Sequence, residues 1–510
     1  MSARESFDRL TAQLKLLAVL GYVRIGSEVF ENTVMPRGAQ ATWDQISGVL
    51  AEESHRAFTS DGIGEALEEM DRVGFDGLSI HEERLVRRLQ LSWKRARALP
   101  AKLVGDEAAI ISRAQAARKE AREKNDWQLL APHFAAILDC VRERAVCLGG
   151  ELDDSDSLYD AILPSFDVGL TVNELRETYG ELKGWLIPFL ERYWREGRPM
   201  LTDSLHREVS LTRQRQLVEG LAAAVGFDFS SGLLASVDHP FMETLAPGAV
   251  VISTWYDPKN PAKAIYGLLH EAGHGMFEQG RDPALLSFTM PDRNKLFCGS
   301  HSNHEAQSRL VEVFLGRSLP FIKYLVKTVP EFSGCNPMEL YRAANAIVPT
   351  PIRVDACEIM YPLHIIMRTE LEQELLSGRL SVKDLPEAWG AKMREYLGIE
   401  PPTDAEGVMK DPHWYGGWFG GFNSYARGML IAAQLMATYR AACPDWEAEW
   451  EGGDFGSLRA WLAEKVYPFG LVCTTNELLA DATGGPMIAG YWRDHIEEKF
   501  DALCFAKQSV

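Results

Sequence analysis

Apolar residues recur at three- and four-residue spacing over 7–34, 63–104 and 170–193, the period of helices that bury one face. Residues 107–124 are rich in Ala, Arg, Glu and Lys, all strong helix formers. This pattern predicts helical hairpins rather than sheet. One segment reads as a strand: 249–255, AVVISTW, is rich in β-branched residues and is bounded by Pro247-Gly248 and Asp257-Pro258. No fixed-period repeat, Gly/Ser linker or low-complexity run interrupts the chain, so one unit over 1–510 is expected, with a helical part over about 1–230 and a chemistry-bearing part over about 231–510. The expected fold class is mainly α.

Composition narrows the function. The 510 residues are 46% hydrophobic, 10% aromatic and 25% charged, values of a globular enzyme. Lys and Arg number 53 against 72 Asp and Glu, a net charge of −19, which opposes capture of phosphate backbones and anionic lipid. Neither a nucleic-acid nor a membrane partner is expected. The opening residues lack the order of a secretory signal, and no apolar run approaches the roughly 20 residues that span a bilayer. Eight cysteines without a CxxC pair indicate neither a disulfide framework nor a thiolate metal cage. A cytoplasmic location is expected.

The chemistry sits just after the strand. Asn260 and Pro261 suit an N-cap and first helical position, residues 262–279 continue the helix, and Gly280 stops it. Within it stands His270-Glu271-Ala272-Gly273-His274. A spacing of four puts both imidazoles on one face, one turn apart, where two nitrogens can meet a tetrahedral Zn²⁺. Glu271 then lies beside the metal, suited to take a proton from water and later deliver it to the leaving amine. Apolar Ile265, Leu268, Leu269, Met276 and Phe277 surround the motif; on such a buried helix two histidines and a glutamate without partners would be costly to desolvate. Gly273 and Gly275 imply close backbone approach by another element or by substrate. A third ligand should arrive on a separate helix. Glu305, 31 residues after His274, offers one, although Ser302 and Glu305 also form a capping-box pattern that would claim the same carboxylate. His301 and His304 are alternative ligands. A His₂Glu set leaves the fourth position open for water.

HEAGH followed by HEAQSR resembles the carboxypeptidase Taq family of zinc metallocarboxypeptidases. The likeness extends to Asp238-His239-Pro240-Phe241 (the family's HPF), to Ile352-Arg353-Val354-Asp355-Ala356-Cys357 (its IRxxAD), and to Asp411-Pro412-His413-Trp414 (its DxHW). It also takes in 420–428 (its GYFPTYxLG) and 159–175, the first helical region. The resemblance implies a saddle-shaped helical fold with a deep groove and a small sheet beside the HExxH helix. It further implies a homodimer that removes single residues from peptide C-termini with zinc or cobalt. The departures are specific. The DxRxT strand reads Ala249-Val250-Val251-Ile252-Ser253, without its acid or arginine; Cys357 replaces an aspartate and Lys410 a glutamine; and GYFPTYALG has become GGFNSYARG, with Asn423 for proline and Arg427 for leucine.

An exopeptidase needs a cation for the terminal carboxylate. By resemblance Arg353 is the first candidate, with Asp355 or Glu358 as a structural partner in the alternative; Arg427 is a second, compensating for the arginine missing at Val251. The oxyanion of a tetrahedral intermediate needs hydrogen-bond donors, a role that His413 and Tyr425 fit. The strand 250–254 could add an extended peptide as a further strand. Two other functions share these residues: an oligopeptidase that cuts inside short peptides, and a zinc-containing peptide-binding scaffold without turnover.

Overall fold

The computed structural model describes residues 2–237, 240–286 and 299–505. Among these residues it is mainly helical, as the periodicity predicts, with one small sheet beside the HExxH helix, as the family resemblance implies. The first apolar stripe forms the helix Ala3–Thr33, closed at its start by a capping box of Ser2 and Glu5. The second does not run unbroken. It divides into Asp61–Val73 and Ile80–Ala98, because Gly74 and Gly77 take φ of 76° and 85°, conformations that end a helix and that side-chain-bearing residues avoid. Pro100 then opens Ala101–Lys124. The third stripe is Val172–Glu196, whose N-cap Thr171 accepts the Glu174 amide.

The expected strand is present as β3 (Ala249–Thr254). It has two partners that the sequence did not announce, β1 (Gly232–Ser236) and β2 (Met242–Ala246). Each is only five residues long, too short for periodicity to register. The order is β1-β3-β2, with β1 parallel and β2 antiparallel to β3. This corrects one expectation: β3 is hydrogen-bonded on both sides and cannot take up a substrate strand.

β3 is the floor on which the HExxH helix, Pro261–Gln279, rests. Thr254 Oγ1 donates to the Ala264 carbonyl at 3.2 Å, and a Cβ on Gly275 would lie 2.6 Å from the Phe227 ring and 2.9 Å from Ile252. On the opposite side stands the helix His301–Arg309, so close that a Cβ on Gly273 would meet the Gln307 carbonyl oxygen at 2.4 Å. Asn423–Ala442 closes the back of that helix: a Cβ on Gly428 would lie 2.7 Å from Glu305 Cγ. Three glycines thus set the spacing of the four elements that carry the site. Buried apolar side chains form one contiguous cluster that includes Phe7, Leu138, Phe277, Trp389 and Trp492. Among the described residues, no helix is long and apolar enough to cross a membrane. The seven described cysteines are free thiols; Cys140, Cys473 and Cys504 are buried and the others partly so. Cys298, Asp238 and His239 lie outside the described residues.

Candidate metal centre

His270 and His274 project from one face of the HExxH helix, their rings 4.9 Å apart and nearly perpendicular. Glu305 approaches from the next helix, with Oε2 3.5 Å from His274 Nε2 and 3.9 Å from His270 Nε2. One donor atom from each residue falls within a 4.8 Å cluster. Ligands at about 2.0–2.2 Å around a tetrahedral ion stand roughly 3.3 Å from one another, so this donor set fits a divalent metal. Among the described residues no other group of three or more candidate ligands converges in this way. His304 does not join it. Its ring stacks on His274 at 4.2 Å, and its Nε2 lies 3.4 Å from Glu278. His301 turns away, with Nδ1 3.1 Å from the Phe166 carbonyl oxygen.

The rival use of Glu305 is absent. The N-cap of its helix is Ser300, whose hydroxyl accepts the Asn303 amide, while Ser302 donates its own hydroxyl to Asp167 at 2.6 Å. With no capping box at Ser302, the Glu305 carboxylate is left to Arg309, which donates Nε to Oε1 at 2.7 Å, and to the imidazoles. Arg309 also donates to Glu312 Oε2 at 3.0 Å, and the same oxygen lies 3.1 Å from His270 Nδ1. Glu312 stands on a π-helical turn, Leu310–Leu315, that continues the Glu305 helix. Such turns re-aim side chains within an otherwise regular helix. Arg309 therefore orients one candidate ligand directly and a second through Glu312, the arrangement by which outer-shell partners fix metal ligands.

The electrostatics divide the acids by task. Burial raises Glu305, but Arg309 and the two imidazoles outweigh it and hold the carboxylate well below its ordinary range. Burial likewise opposes ionisation of Glu312, yet Arg309 and His270 bring it down to about 2. Glu271 goes the other way: burial, reinforced by Glu305 and Glu243, pushes it up to about 7 despite His270. His274 is pushed down to about 3, first by burial and then by His304, which favours the neutral imidazole a metal requires. Burial works against protonation of His270, but Glu305 and Glu312 reverse it and raise its pKa.

His413 and Tyr425 meet one another, with Nε2 and the phenol oxygen 2.8 Å apart. Arg353 lies under the Tyr425 ring at 4.7 Å and donates to Tyr361 Oη at 2.9 Å. Its carboxylate partner is neither Asp355 nor Glu358 but Asp411, 3.3 Å away, which Arg368 also grips at 2.6 Å. Two guanidiniums around one carboxylate leave a net positive charge behind Tyr425. Arg309 also packs on the Tyr361 ring, 4.2 Å from its centroid. Arg427 points elsewhere: it is 2% exposed and bonded to Glu174 at 2.7 Å. The site's missing β3 arginine is thus not replaced from that position. Val251 is fully buried, paired in register with Leu233 and Glu243.

Motif and periodicity pointed to His270, Glu271, His274 and Glu305. They did not reveal the roles of Arg309, Glu312, Tyr361 or Asp167. Arg309 closes the HEAQSR motif without a role being read from it, and the further signal for Arg309 and Glu312 was their spacing of four and seven after Glu305 on one helical face.

A mainly helical fold enclosing a buried His-His-Glu cluster that could hold a metal, with a further carboxyl group on the same helix as the histidines, is the arrangement of a metallopeptidase. The model of the carboxypeptidase Taq (M32) metallopeptidases matches residues 25–500, and the chain belongs to that family. It is 33% identical to carboxypeptidase 1 of Bacillus subtilis, covering 92% of this chain and 93% of that one. It is also 33% identical to thermostable carboxypeptidase 1 of Thermus thermophilus, over 98% and 97% of the two chains. The crystal structure of an M32 carboxypeptidase from Deinococcus radiodurans superposes with a TM-score of 0.89, at 32% identity over 98% and 99% of the two chains.

Proposed function

We propose that this chain is a zinc-dependent metallocarboxypeptidase that hydrolyses the C-terminal bond of peptides, with Glu271 as general base. The observation that carries the reading is the convergence of His270, His274 and Glu305 beside a Glu271 whose carboxyl is raised to about 7. A zinc or cobalt ion held by those three residues supplies Lewis acidity and lowers the pKa of a water molecule. Glu271 takes a proton from water and returns it to the departing amine, a transfer for which a pKa near neutrality is well matched. The Tyr425 hydroxyl, sharing a hydrogen bond with His413, supplies a donor to the oxyanion of the tetrahedral intermediate. Arg353 and Arg368, in excess over Asp411 by one charge, draw the terminal carboxylate to that wall. Arg427, tied to Glu174, is assigned to packing rather than to substrate.

Free cysteines fit a reducing, cytoplasmic setting, and the family resemblance suggests a homodimer. Glu271→Gln should retain metal and lose about 10²–10⁴-fold in kcat, checked by elemental analysis and single-residue release from an unblocked peptide. Amidation of the peptide C-terminus should abolish cleavage. Equal cleavage of both substrates would show an oligopeptidase instead, and normal turnover by Glu271→Gln would remove the proposed base.

A further inference from the structure

The segment that carries His413 and Tyr425 departs from the family pattern as GGFNSYARG, and those departures have partners in the structure. Ser424 donates to Asp167 at 2.9 Å, Arg427 bonds Glu174 at 2.7 Å, and Asn423 stands at the centre of a buried polar cluster. Its Nδ2 donates to Tyr159 Oη at 3.0 Å and to the Gly420 carbonyl at 2.9 Å. Its Oδ1 accepts from the Tyr179 hydroxyl at 2.9 Å and lies 2.8 Å from Thr369 Oγ1. These contacts use the full hydrogen-bonding capacity of a carboxamide. A proline here would fix φ and offer none of them.

Tyr159 passes the cluster on to Glu372, donating its hydroxyl to Oε2. The same carboxylate accepts the Trp414 indole at 2.6 Å and the Gly420 amide at 2.8 Å. Glu372 is 0% exposed, and the three donors given to it here, Tyr159, Trp414 and Gly420, are all neutral. A buried carboxylate met only by neutral donors is costly, and burial, against those hydrogen bonds and the more distant Arg368, pushes this one up to about 7. All three of its neighbours are donors, so a carboxylate is the group that satisfies them together. Trp414 adjoins His413, and Gly420 begins the turn that leads to Tyr425. On the helix Tyr361–Leu376, Arg368 holds Asp411, Thr369 reaches Asn423 and Glu372 holds Trp414 and Gly420. One helical face therefore grips the segment at both ends and in the middle.

We propose that Glu372 and Asn423 are positioning residues: through the Glu372–Tyr159–Asn423 network they fix the geometry of the His413–Tyr425 pair. The role of that pair in turnover rests on the function proposed above. The position of the segment can be read without it.

The test uses the full-length protein carrying Glu372→Gln, Asn423→Leu and Tyr159→Phe singly. A carboxamide at 372 must turn a donor toward one of three donors, and leucine at 423 keeps volume without hydrogen bonds. By hydrogen–deuterium exchange, amides of residues 413–425 should exchange about tenfold faster in the first two variants, the loss of roughly one hydrogen bond to a charged group. Exchange elsewhere and metal content should be unchanged. With an unblocked peptide, kcat should fall about tenfold or more while KM stays within about twofold. A merely structural role would lower the melting temperature and leave exchange in 413–425 and kcat of the folded protein as in the wild type; that result overturns the proposal. If Glu372→Gln or Asn423→Leu does not fold, Tyr159→Phe decides. It removes one donor and keeps the ring, and local exchange indistinguishable from wild type in that variant would refute the network. Absence of peptidase activity in the wild type would refute the proposed function alone, because the exchange measurement stands apart from it.

Discussion

A carboxylate can serve as ligand or as base, and its neighbours decide which. Glu271 and Glu305 are both buried, but only Glu305 has a guanidinium and two imidazoles against it. Arg309 is the residue on which this division depends. Arg309→Met keeps the bulk that packs over Tyr361 but removes the donors to Glu305 and Glu312. Metal affinity should fall about 10–100-fold, the usual scale for an outer-shell partner, while Glu305→Gln should lose more, as a ligand itself changes. Titration of each apoprotein with zinc against a competing chelator measures both. Equal affinities in Arg309→Met and wild type would return that arginine to a purely structural role.

At the level of elements, the site exists because three helices approach more closely than side chains ordinarily allow. Gly273 admits the Gln307 carbonyl and Gly428 admits the side chain of Glu305. Gly273→Ala and Gly428→Ala should each destabilise the protein by about 1–3 kcal/mol, as overpacking of a tight interface does. The two should differ in function. Alanine at 428 presses on Glu305 itself and should weaken metal binding along with stability, whereas alanine at 273 meets backbone and should act chiefly on stability. Denaturant melts paired with zinc titrations separate these outcomes, and unchanged metal affinity in Gly428→Ala would show that the Glu305 side chain adapts.

Across the whole molecule, a second buried acid ties distant parts of the chain. Glu358, three residues before the start of the Tyr361–Leu376 helix, accepts Lys499 Nζ at 2.8 Å and sits 2.9 Å from His495 Nε2, both on the helix Gly490–Cys504. Burial alone would raise its pKa, but Lys499 and His495 hold it well below the ordinary 4.5. A carboxylate depressed in the folded state binds fewer protons there than when unfolded, so its contribution is complete above about pH 4.5 and is lost as the pH falls below it. Glu358→Gln should therefore be less stable at pH 7 and lose less stability between pH 5 and 3 than wild type. Urea denaturation at several pH values measures this, and parallel pH profiles for the two proteins would count against the tie.

The sequence by itself determined the helical class, the strand ahead of the HExxH helix, the two histidines one turn apart with Glu271 between them, and, only in part, Glu305 as the candidate third ligand over its capping rival. These are local properties: period, capping and i, i+4 spacing are written in consecutive residues. Family membership was legible for the same reason, since the motifs are short and ordered along the chain. Tertiary structure alone decided the rest. Asp411 rather than Asp355 or Glu358 holds Arg353, Glu174 removes Arg427 from the site, and β1 and β2 close both edges of β3. Each of these pairs residues far apart in sequence, where no periodic signal links the partners, and each is selected by the cost of leaving a buried charge or backbone group without a partner.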